Sequence, residues 1–457
     1  MAASLPAGFD AAATAARRRL LAASVTDRAL LAAGAAPARN YAANVYPFRA
    51  SSHFLYLVGA PVEGAVLSIG GGDPGTLHVP TPPPDDALWH GVTPDRDALS
   101  ALLGLPVRPL EELASGEAAL PTPGGDPLVE RVLRRRPTLE HPKDGALADA
   151  MIDLRLRHDA HAQAELRRAA EATVAAHRAG MAATRPGVRE HVVRAAMLEA
   201  FFRRGMDAAY GPIVTVHGEV LHQRASEGTC EAGDLLLADG GAETAGGWAG
   251  DVTRTWPVSG AFSATQRELY AAVLAAQEAA IAKVAPGVRY RDVHLASCVT
   301  LTRGLIDLGI LRGDAEELVA DGVHALFFPH GVGHLLGLDV HDMEDLGDRA
   351  GYAPGRARSA QFGLSYLRLD RDLAPGMAVT IEPGFYQVPG ILEDPARRAW
   401  AGDRVDWMRL AAFADVRGLR IEADVLVTEP GAAVLTAALA KDPDALPVGA
   451  AARAQLD

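Results

Sequence analysis

The first third of the chain contains short apolar runs of the kind that form β-strands. The runs HFLYLVG (53–59), GAVLSIGGG (64–72) and TLHVPTPPP (76–84) predict three strands, and the last two end in glycines and prolines that terminate strands. The Ala- and Arg-rich residues 1–40 predict a helix before them. Residues 84–147 alternate short helical stretches with Pro- and Gly-rich loops. The pattern indicates a strand-rich N-terminal region.

A long helical pattern follows, from Asp153 to Gly180. Long helices with polar faces often bridge domains. We therefore predict a boundary near residue 150, with one domain over residues 1–150 and a second over residues 151–457.

The second domain contains a faint internal repeat. The segments RPGVRE (185–190) and APGVRY (285–290) lie 100 residues apart, and each follows one helical pattern and precedes another. Ser263 with Gln266 predicts a capping box at the start of a helix over 264–285. The repeat suggests that the domain has two similar αβ halves.

Apolar runs between and after these helices predict strands at 212–221, 234–241, 251–258, 378–386 and 419–428. Because strands and helices are both abundant and most strands follow one another closely, we predict an α+β fold with mainly antiparallel strands.

The composition narrows the class of protein. Apolar residues make up 49% and charged residues 22%, as in ordinary globular proteins. A formal net charge of −13 argues against binding to nucleic acid or anionic lipid. The two cysteines, Cys230 and Cys298, form no disulfide framework and favour a cytoplasmic location. No apolar stretch of about 18 residues predicts a membrane span, and the arginines at 17–19 stand in the wrong order for a signal peptide.

Five residues stand in strand-like or Gly-rich contexts where a charge is costly unless it is paired or bound to metal. They are Asp239, Asp251, His334, Glu382 and Glu422. Each alone has an ordinary explanation, since an Asp before Gly-Gly is usually a turn residue and a strand Glu usually faces solvent. Together, four carboxylates and one imidazole suit two divalent ions of the manganese type. Two ions about 3.5–4 Å apart can share a water as hydroxide, which indicates a hydrolase.

Four segments of this region resemble a known family. LLLADGGAETAGGWAGDVTRTWPVSG, FFPHGVGHLLGLDVHD, GMAVTIEPGFY and GLRIEADVLVT occur in this order within residues 234–428. The series is similar to the signature of the pita-bread metallopeptidases of the Xaa-Pro branch, Xaa-Pro dipeptidase (prolidase) and Xaa-Pro aminopeptidase (aminopeptidase P). VYPFRASSHFLYLVG resembles the N-terminal domain of these enzymes. The resemblance implies a small mixed-sheet domain followed by a two-halved pita-bread catalytic domain, assembled as a homodimer or homotetramer.

The resemblance also implies roles for the five candidate ligands. Asp251 and Glu422 would bridge two divalent ions, His334 and Glu382 would bind one of them, and Asp239 the other. Manganese is favoured, although cobalt and zinc accept the same ligands.

Further residues match the catalytic and substrate-binding positions of the family. Glu382 would also act as the general base. His222 and His341 would hold the substrate carbonyl and the developing oxyanion. His330 matches a third histidine near the substrate, although its spacing from His334 also suits plain packing. Substrates would be Xaa-Pro dipeptides or short proline-containing peptides.

Two arginines are candidates for supporting these roles. Arg420 precedes Glu422 by two residues, so on an extended strand it would share its face and hold that carboxylate near the substrate. Arg368 lies fourteen residues before Glu382, as does the arginine that binds a dipeptide's carboxylate in prolidases. A solvated loop position is the ordinary alternative for Arg368, and Arg371 competes with it.

The spacing of the first two ligands departs from the family pattern. Asp239 and Asp251 lie twelve residues apart, one more than the usual spacing. An extra residue inside a strand would turn Asp251 away from the site, whereas one at the tip of TAGGW would preserve the register. The glycines favour the tip.

Fewer features distinguish between the two branches of the family and between a peptidase and other proteins of this fold. The long segment 383–418 and Arg368 favour the dipeptidase over an aminopeptidase P that acts on longer peptides. A non-catalytic binding protein or a metal-free creatine-type hydrolase would be expected to lack ligands, and all five are present. The sequence does not exclude a side activity on phosphate triesters. Phe327, Phe328 and Leu335 are candidates for an apolar proline pocket.

Overall fold

The computed structural model describes residues 5–113, 115–122 and 124–453, which form two compact units. The first runs to Glu165 and includes Ala245–Gly247 and Met343–Ala350. The second comprises Leu166–Thr244, Trp248–Asp342 and the residues from Gly351 onward. The domain limits 1–150 and 151–457 stay a prediction.

The first unit is built on one sheet with helices around it. Its strands are β1 Ala29–Ala32, β2 Val66–Gly70, β3 Asp73–Val79, β4 Val107–Pro109 and β5 Ala118–Ala119. Its helices are α1 Ala11–Ser24, α2 Ser52–Val58, α3 Asp86–His90, α4 Arg96–Leu103, α5 Pro127–Leu133 and α6 Pro142–Arg155. The sheet has the order β4-β3-β2-β1-β5, with β1–β5 and β3–β4 parallel and the other pairs antiparallel. It is the mixed sheet that the family resemblance implied.

Two predictions of secondary structure in this region need correction. Residues 53–59 form most of helix α2, not a strand, and every residue of α2 is buried. A helix buried on all sides shows no periodicity, so a short apolar run does not distinguish it from a strand. The long helix predicted from Asp153 is also interrupted between α6 and the next helix, α7 Ala160–Ala183, where the Asp159 carboxylate accepts the Ala162 N–H at 2.8 Å.

The second unit combines antiparallel sheets with long helices. Its strands are β6 Asp207–Ala208, β7 Ile213–Thr215, β8 Leu235–Gly240, β9 Ala242–Glu243, β10 Val252–Pro257, β11 Ala378–Ile381, β12 Gly384–Tyr386, β13 Gly418–Arg420, β14 Ala423–Thr428 and β15 Gly431–Val434. They pair as β10-β8-β7, β11-β14-β15, β12-β13 and β6-β9, all antiparallel. The α+β prediction with mainly antiparallel strands is confirmed for this unit.

The remaining helices follow α7 along the chain. They are α8 Glu190–Phe202, α9 Ala264–Lys283, α10 Tyr290–Asp307, α11 Ala315–Ala320, α12 Asp348–Gly351, α13 Pro389–Leu392, α14 Pro395–Ala401, α15 Trp407–Ala411 and α16 Ala450–Arg453. Short 3-10 helices lie at Leu110–Glu112, Val323–Leu326, Glu344–Leu346 and Gly402–Arg404. The capping box of Ser263 and Gln266 is present at the start of α9. In the described part of the chain, no helix has the length and apolar character that a membrane crossing requires.

The internal repeat corresponds to two equivalent helix–turn–helix connections. Gly187, between α7 and α8, has φ 83°, and Gly287, between α9 and α10, has φ 82°. The Gly187 N–H donates to Cys230 O and the Gly287 N–H donates to Leu373 O, both at 2.8 Å. The two PGVR turns are thus tied to the rest of the unit in the same way, which supports the two-halved architecture.

The hairpin of β8 and β10 places both aspartates on one face. Asp239 stands opposite Thr253, so Asp251, two residues earlier, points to the same side of the sheet. The Thr244 N–H donates to Trp248 O at 2.9 Å, which leaves only three residues at the Gly-rich tip. The register of both strands is therefore preserved across the unusual twelve-residue spacing.

The strand that we predicted over 419–428 is interrupted at Ile421 and Glu422, where β13 ends and β14 has not yet begun. β13 pairs with β12 and β14 pairs with β11, with Arg420 opposite Gly384 and Ala423 opposite Ile381. The Ile421 N–H donates to Pro383 O at 3.3 Å, so the register continues through the interruption. The alternation therefore still places Arg420 and Glu422 on one face.

A close backbone approach at the base of the hairpin gives a stability prediction. A Cβ at Gly241 would lie 1.6 Å from Gly250 O. Gly241→Ala must therefore displace the backbone at Gly250, the residue before Asp251. We expect a loss of at least about 2 kcal/mol in the free energy of unfolding. Gly390→Ala is the control, because a Cβ there meets nothing within 4 Å. Denaturant unfolding checks both; equal stability of the two variants would contradict the prediction.

Candidate metal centre

One cleft of about 600 Å³ in the second unit contains every site residue that the sequence predicted. The ten residues are His222, Asp239, Asp251, His330, His334, His341, Arg368, Glu382, Arg420 and Glu422. Their individual roles stay predictions, but the structure brings all of them to one place.

The four carboxylates reach the cleft from positions at or next to strand ends. Asp239 lies near the end of β8 and Asp251 immediately precedes β10. Glu382 follows β11, and Glu422 immediately precedes β14. The Glu382 N–H donates to Val332 O at 2.8 Å and the Glu422 N–H donates to Thr253 O at 3.0 Å, which fixes the backbone from which these side chains project. Asp239, Asp251 and Glu422 are buried, and Glu382 is half-buried.

His334 is oriented so that one ring nitrogen faces the carboxylates. Its Nδ1 lies 2.9 Å from Leu335 O and donates to it as an N–H. Its Nε2 lies 3.3 Å from Asp251 Oδ2 and 3.5 Å from Glu382 Oε1. The ring of His341 stacks on that of His334 with a centroid distance of 4.0 Å. Nε2 is therefore the atom available as a metal ligand.

The electrostatics of the cleft call for a cation. Burial, and then repulsion from Asp251 and Glu382, raises the pKa of Glu422 well above its usual value. Burial raises the pKa of Glu382 to about 7, although the charges of His334 and Arg420 oppose this. Burial also raises the pKa of Asp239. Burial lowers the pKa of His334, but its hydrogen bond to Asp251 and the charge of Glu382 outweigh this and raise it to about 9.

The donor set fits divalent metal ions. Asp251, His334 and Glu422 each offer an atom, and these atoms lie within 4.8 Å of one another. Carboxylate oxygens with one imidazole suit manganese, and cobalt and zinc accept them too. A bound cation would relieve the repulsion that otherwise forces protons onto these groups.

Arg420 does not hold Glu422 as we predicted. Its guanidinium donates to Asp239 Oδ2 at 2.5 Å, to Thr253 Oγ1 at 2.8 Å and to Tyr386 Oη at 3.0 Å. The Thr253 hydroxyl in turn donates to Glu422 Oε2 at 2.7 Å. Both side chains point into the cleft, but Thr253 lies between them and the guanidinium reaches Asp239 instead.

Tyr210 is a site residue that sequence reasoning missed. Its hydroxyl lies within hydrogen-bonding distance of both Asp239 and Asp251. Burial and the charge of Asp239 raise its pKa well above the usual value, so it stays a proton donor. A tyrosine before Gly-Pro resembles an ordinary turn residue, and only the fold brings it to carboxylates 29 and 41 positions away.

His330 is held on both ring nitrogens by the wall of the cleft. Its Nδ1 donates to Gly331 O at 2.8 Å, and its Nε2 accepts from the Tyr386 hydroxyl at 2.9 Å. That hydroxyl accepts from Arg420, which fixes the direction of its own proton. Burial, and then the charge of Arg420, lowers the pKa of His330 to about 3. Its ring thus extends the Arg420–Tyr386 network.

The more open part of the cleft carries the residues predicted to meet substrate. His222 and Arg368 line it and are exposed. Segment 383–418 forms α13, α14 and α15, and contributes Ile391 and Arg397 to the lining. Ile213, Leu221, Val340, Phe362 and Tyr366 supply further apolar surface.

The three residues considered for a proline pocket do not line this cleft. Phe327 and Phe328 are fully buried, and Phe327 stacks on Phe385 with a centroid distance of 5.4 Å. Leu335 is also buried in the core. Their apolar character serves packing behind the cleft wall.

The chain matches two described protein families. Residues 164–429 match metallopeptidase family M24, and residues 14–120 match the N-terminal domain of aminopeptidase P. The first match alone covers more than half of the chain.

Relatives that align with most of the chain are named Xaa-Pro aminopeptidases. Xaa-Pro aminopeptidase 2 of Streptomyces coelicolor is 34% identical over 430 residues, which cover 88% of this chain and 83% of the relative. A probable Xaa-Pro aminopeptidase of Fusarium vanettenii is 33% identical over 406 residues, 85% of each chain.

Solved structures show the same fold. Zinc-substituted aminopeptidase P of Escherichia coli, in complex with product, has a TM-score of 0.78 and 29% identity, covering 96% of this chain and 97% of that one. Aminopeptidase PepP of Pseudomonas aeruginosa has a TM-score of 0.78 and 29% identity, covering 98% and 99%. The predicted fold, a pita-bread domain preceded by a smaller mixed-sheet domain, is confirmed.

Loss of a bridging carboxylate should appear directly in the metal content. We expect Asp251→Asn to bind less metal than the wild type while remaining folded, because the amide removes the negative charge that Asp251 would share between two ions. Asp234→Asn is the control, since that carboxylate accepts from Arg417 at 3.1 Å instead of facing the cleft. Metal analysis after dialysis checks this; wild-type content in Asp251→Asn would refute the ligand assignment.

The hydrogen bonds of Tyr210 give a second prediction. Tyr210→Phe removes the donor that orients Asp239 and Asp251, so metal affinity should fall roughly 10- to 100-fold. Tyr366→Phe changes another tyrosine of the cleft, a residue that is 61% exposed, and should leave affinity unchanged. Titration of the apoprotein against a competing chelator measures both. Identical affinities in the two variants would show that Tyr210 does not support the ligands.

Proposed function

The chain belongs to metallopeptidase family M24, and from that premise we propose that it is an Xaa-Pro aminopeptidase. Such an enzyme removes the N-terminal residue from a peptide whose second residue is proline. The proposal is carried by one observation: the five candidate ligands and the two candidate catalytic histidines, His222 and His341, share one cleft. The names of the full-length relatives support the choice of reaction.

The comparisons favour the aminopeptidase over the dipeptidase that the sequence analysis preferred. The long segment 383–418, which suggested a dipeptidase, contains strand β12 and helices α13, α14 and α15, and contributes Ile391 and Arg397 to the cleft wall. The length of this segment therefore describes the cleft wall and does not indicate the length of the substrate. The second argument, Arg368, weakens because its side chain is exposed.

The residues of the cleft have distinct tasks in this reaction. Asp239, Asp251, His334, Glu382 and Glu422 would hold two divalent ions, which would supply an acidified water and polarise the scissile carbonyl. Glu382 accepts a proton from the attacking water and delivers it to the departing proline nitrogen. His341, stacked on His334, and His222, at the exposed part of the cleft, donate N–H groups to the carbonyl oxygen as negative charge develops.

Other residues keep this arrangement in place. Arg420 and Tyr210 hold the two oxygens of Asp239, which fixes the direction of that carboxylate. Thr253 holds Glu422. The Arg420–Tyr386–His330 network closes one side of the cleft, so the reacting groups do not depend on bulk water for their orientation.

The remainder of the cleft suits a peptide longer than two residues. Its volume of about 600 Å³ lies in the middle of the range for ligand sites. Arg358, Arg368 and Arg397 line it together with apolar side chains, which provides positive charge for the peptide's C-terminal part.

We also propose that manganese is the resident ion and that the chain acts as a homodimer or homotetramer in the cytoplasm. The predominance of oxygen donors supports manganese. Both cysteines are free, as is usual in a reducing compartment. The oligomer follows from the family resemblance.

Peptide length tests the proposed reaction. The manganese-loaded protein should cleave Xaa-Pro-Yaa peptides with kcat/KM at least about tenfold above that for the matching Xaa-Pro dipeptide, a difference of about 1.4 kcal/mol. Xaa-Ala-Yaa peptides serve as the control for proline. Preference for the dipeptide would restore the dipeptidase, and inactivity at full metal content on all three would refute the peptidase proposal.

The exposure of Arg368 sets the size of its effect. An ion pair with a peptide carboxylate in solvent is screened, so Arg368→Ala should lower kcat/KM for Xaa-Pro-Yaa by no more than about fivefold. The same substrate as a C-terminal amide should show no change. A loss above about thirtyfold confined to dipeptides would mean that Arg368 binds a desolvated dipeptide carboxylate instead.

A further inference from the structure

A second group of metal-ligand side chains lies outside the cleft. His294 and Cys298 stand one turn apart on α10, and His324 lies in the 3-10 helix Val323–Leu326. Their nitrogen and sulfur atoms lie within 4.8 Å of one another, and all three side chains are buried. We propose that His294, Cys298 and His324 form a binding site for a zinc ion that is distinct from the catalytic metal pair.

The unpaired state of His324 is the observation that points to a ligand. Among the described residues, neither ring nitrogen of His324 has a hydrogen-bond partner, although the residue is only 1% exposed. An unpaired polar group in such a position is costly, and buried polar side chains are nearly always satisfied. A metal bond to one nitrogen would remove that cost.

The separation of the donors in the helical pair is that of two zinc ligands. Cys298 Sγ lies 3.4 Å from His294 Nε2 and 3.8 Å from His294 Nδ1. Zinc binds sulfur at about 2.3 Å and imidazole nitrogen at about 2.0–2.1 Å, so tetrahedral coordination places the two donors roughly 3.5 Å apart. Because the sulfur lies beside the ring, the imidazole of His294 must turn before its Nε2 and the sulfur can share an ion. Residues four positions apart lie on one face of a helix, so such a turn involves the side chain alone.

The chemistry of the cluster separates it from the cleft. It contains a thiol and two imidazoles but no carboxylate, which favours zinc over manganese or magnesium. It shares no residue with the five predicted ligands of the catalytic pair. The two sites would therefore differ in the metal that they select.

The cluster is also placed to brace the wall of the cleft. The ring of His294 packs against Phe328 with a centroid distance of 5.6 Å, and Phe328 packs edge-on against His330 at 4.8 Å. Zinc would tie α10 to the root of the segment that carries His330 and His334. Its role is structural, and no step of the peptidase reaction depends on it.

Cobalt is the probe for this site, because thiolate ligation produces a charge-transfer absorption band that oxygen and nitrogen ligands lack. Protein is purified from cells supplied with cobalt, as wild type, Cys298→Ser and Cys230→Ser. Cys230 is the matched control, since it is also a free, buried cysteine. We expect the band in wild type and Cys230→Ser, with one more cobalt ion per chain than in Cys298→Ser. Absence of the band from wild type, or equal cobalt content in all three, would overturn the proposal.

A second experiment covers the case in which Cys298→Ser does not fold. A Glu422→Gln background impairs the catalytic pair, so stabilisation by zinc then reports on the second site. Zinc should raise the Tm of this background and have a smaller effect after His324→Leu is added. Without metal, His324→Leu should be at least as stable, since it removes two unsatisfied nitrogens. An equal zinc-dependent rise in Tm in both proteins would refute the site, whatever the outcome for peptidase activity.

Discussion

The second unit depends on the burial of four carboxylates at the ends of antiparallel strands. Burial and mutual repulsion raise the pKa of Asp239, Glu382 and Glu422, so this arrangement is unfavourable without compensating positive charge. Arg420 supplies one charge through Asp239, and His334 supplies a nitrogen between Asp251 and Glu382. Neither balances the whole set. Divalent ions would complete it, so metal binding would stabilise this arrangement as well as serve the reaction.

The strands make this arrangement possible because they prevent the carboxylates from moving apart. The β8–β10 register places Asp239 and Asp251 on one face, and the close approach of Gly241 to Gly250 holds that register. The passage from β13 to β14 brings Glu422 in from another sheet. The strand pairing therefore keeps the carboxylates close together despite their mutual repulsion.

Sequence reasoning identified the predicted ligands because acidic residues are conspicuous within apolar strand runs. It placed Asp239, Asp251, His334, Glu382 and Glu422 in one site, and the structure brings them together. Contacts that depend on tertiary geometry could not be predicted from the sequence. Tyr210 looks like a turn residue, and Arg420 binds Asp239 of another strand because Thr253 already occupies Glu422.

The same limit explains the other differences between expectation and structure. Helix α2 is buried on all sides, so its apolar run carries no helical periodicity. Phe327 and Phe328 looked suited to a proline pocket, but apolar character does not reveal which side of a wall a ring faces. The dipeptidase preference rested on the length of segment 383–418, which measures the size of an insertion and not its chemistry. His294 and Cys298 show a helical spacing in the sequence, but His324 joins them only in the fold.

The most direct test of this account is the position of the metal ions. Crystals grown with manganese should give two anomalous difference peaks in the cleft at the manganese absorption edge, about 3.5–4 Å apart. Both peaks should contact Asp251 and Glu422, with His334 and Glu382 at one of them and Asp239 at the other. A single peak, or peaks that Asp251 and Glu422 do not share, would contradict the dinuclear centre on which the proposed function rests.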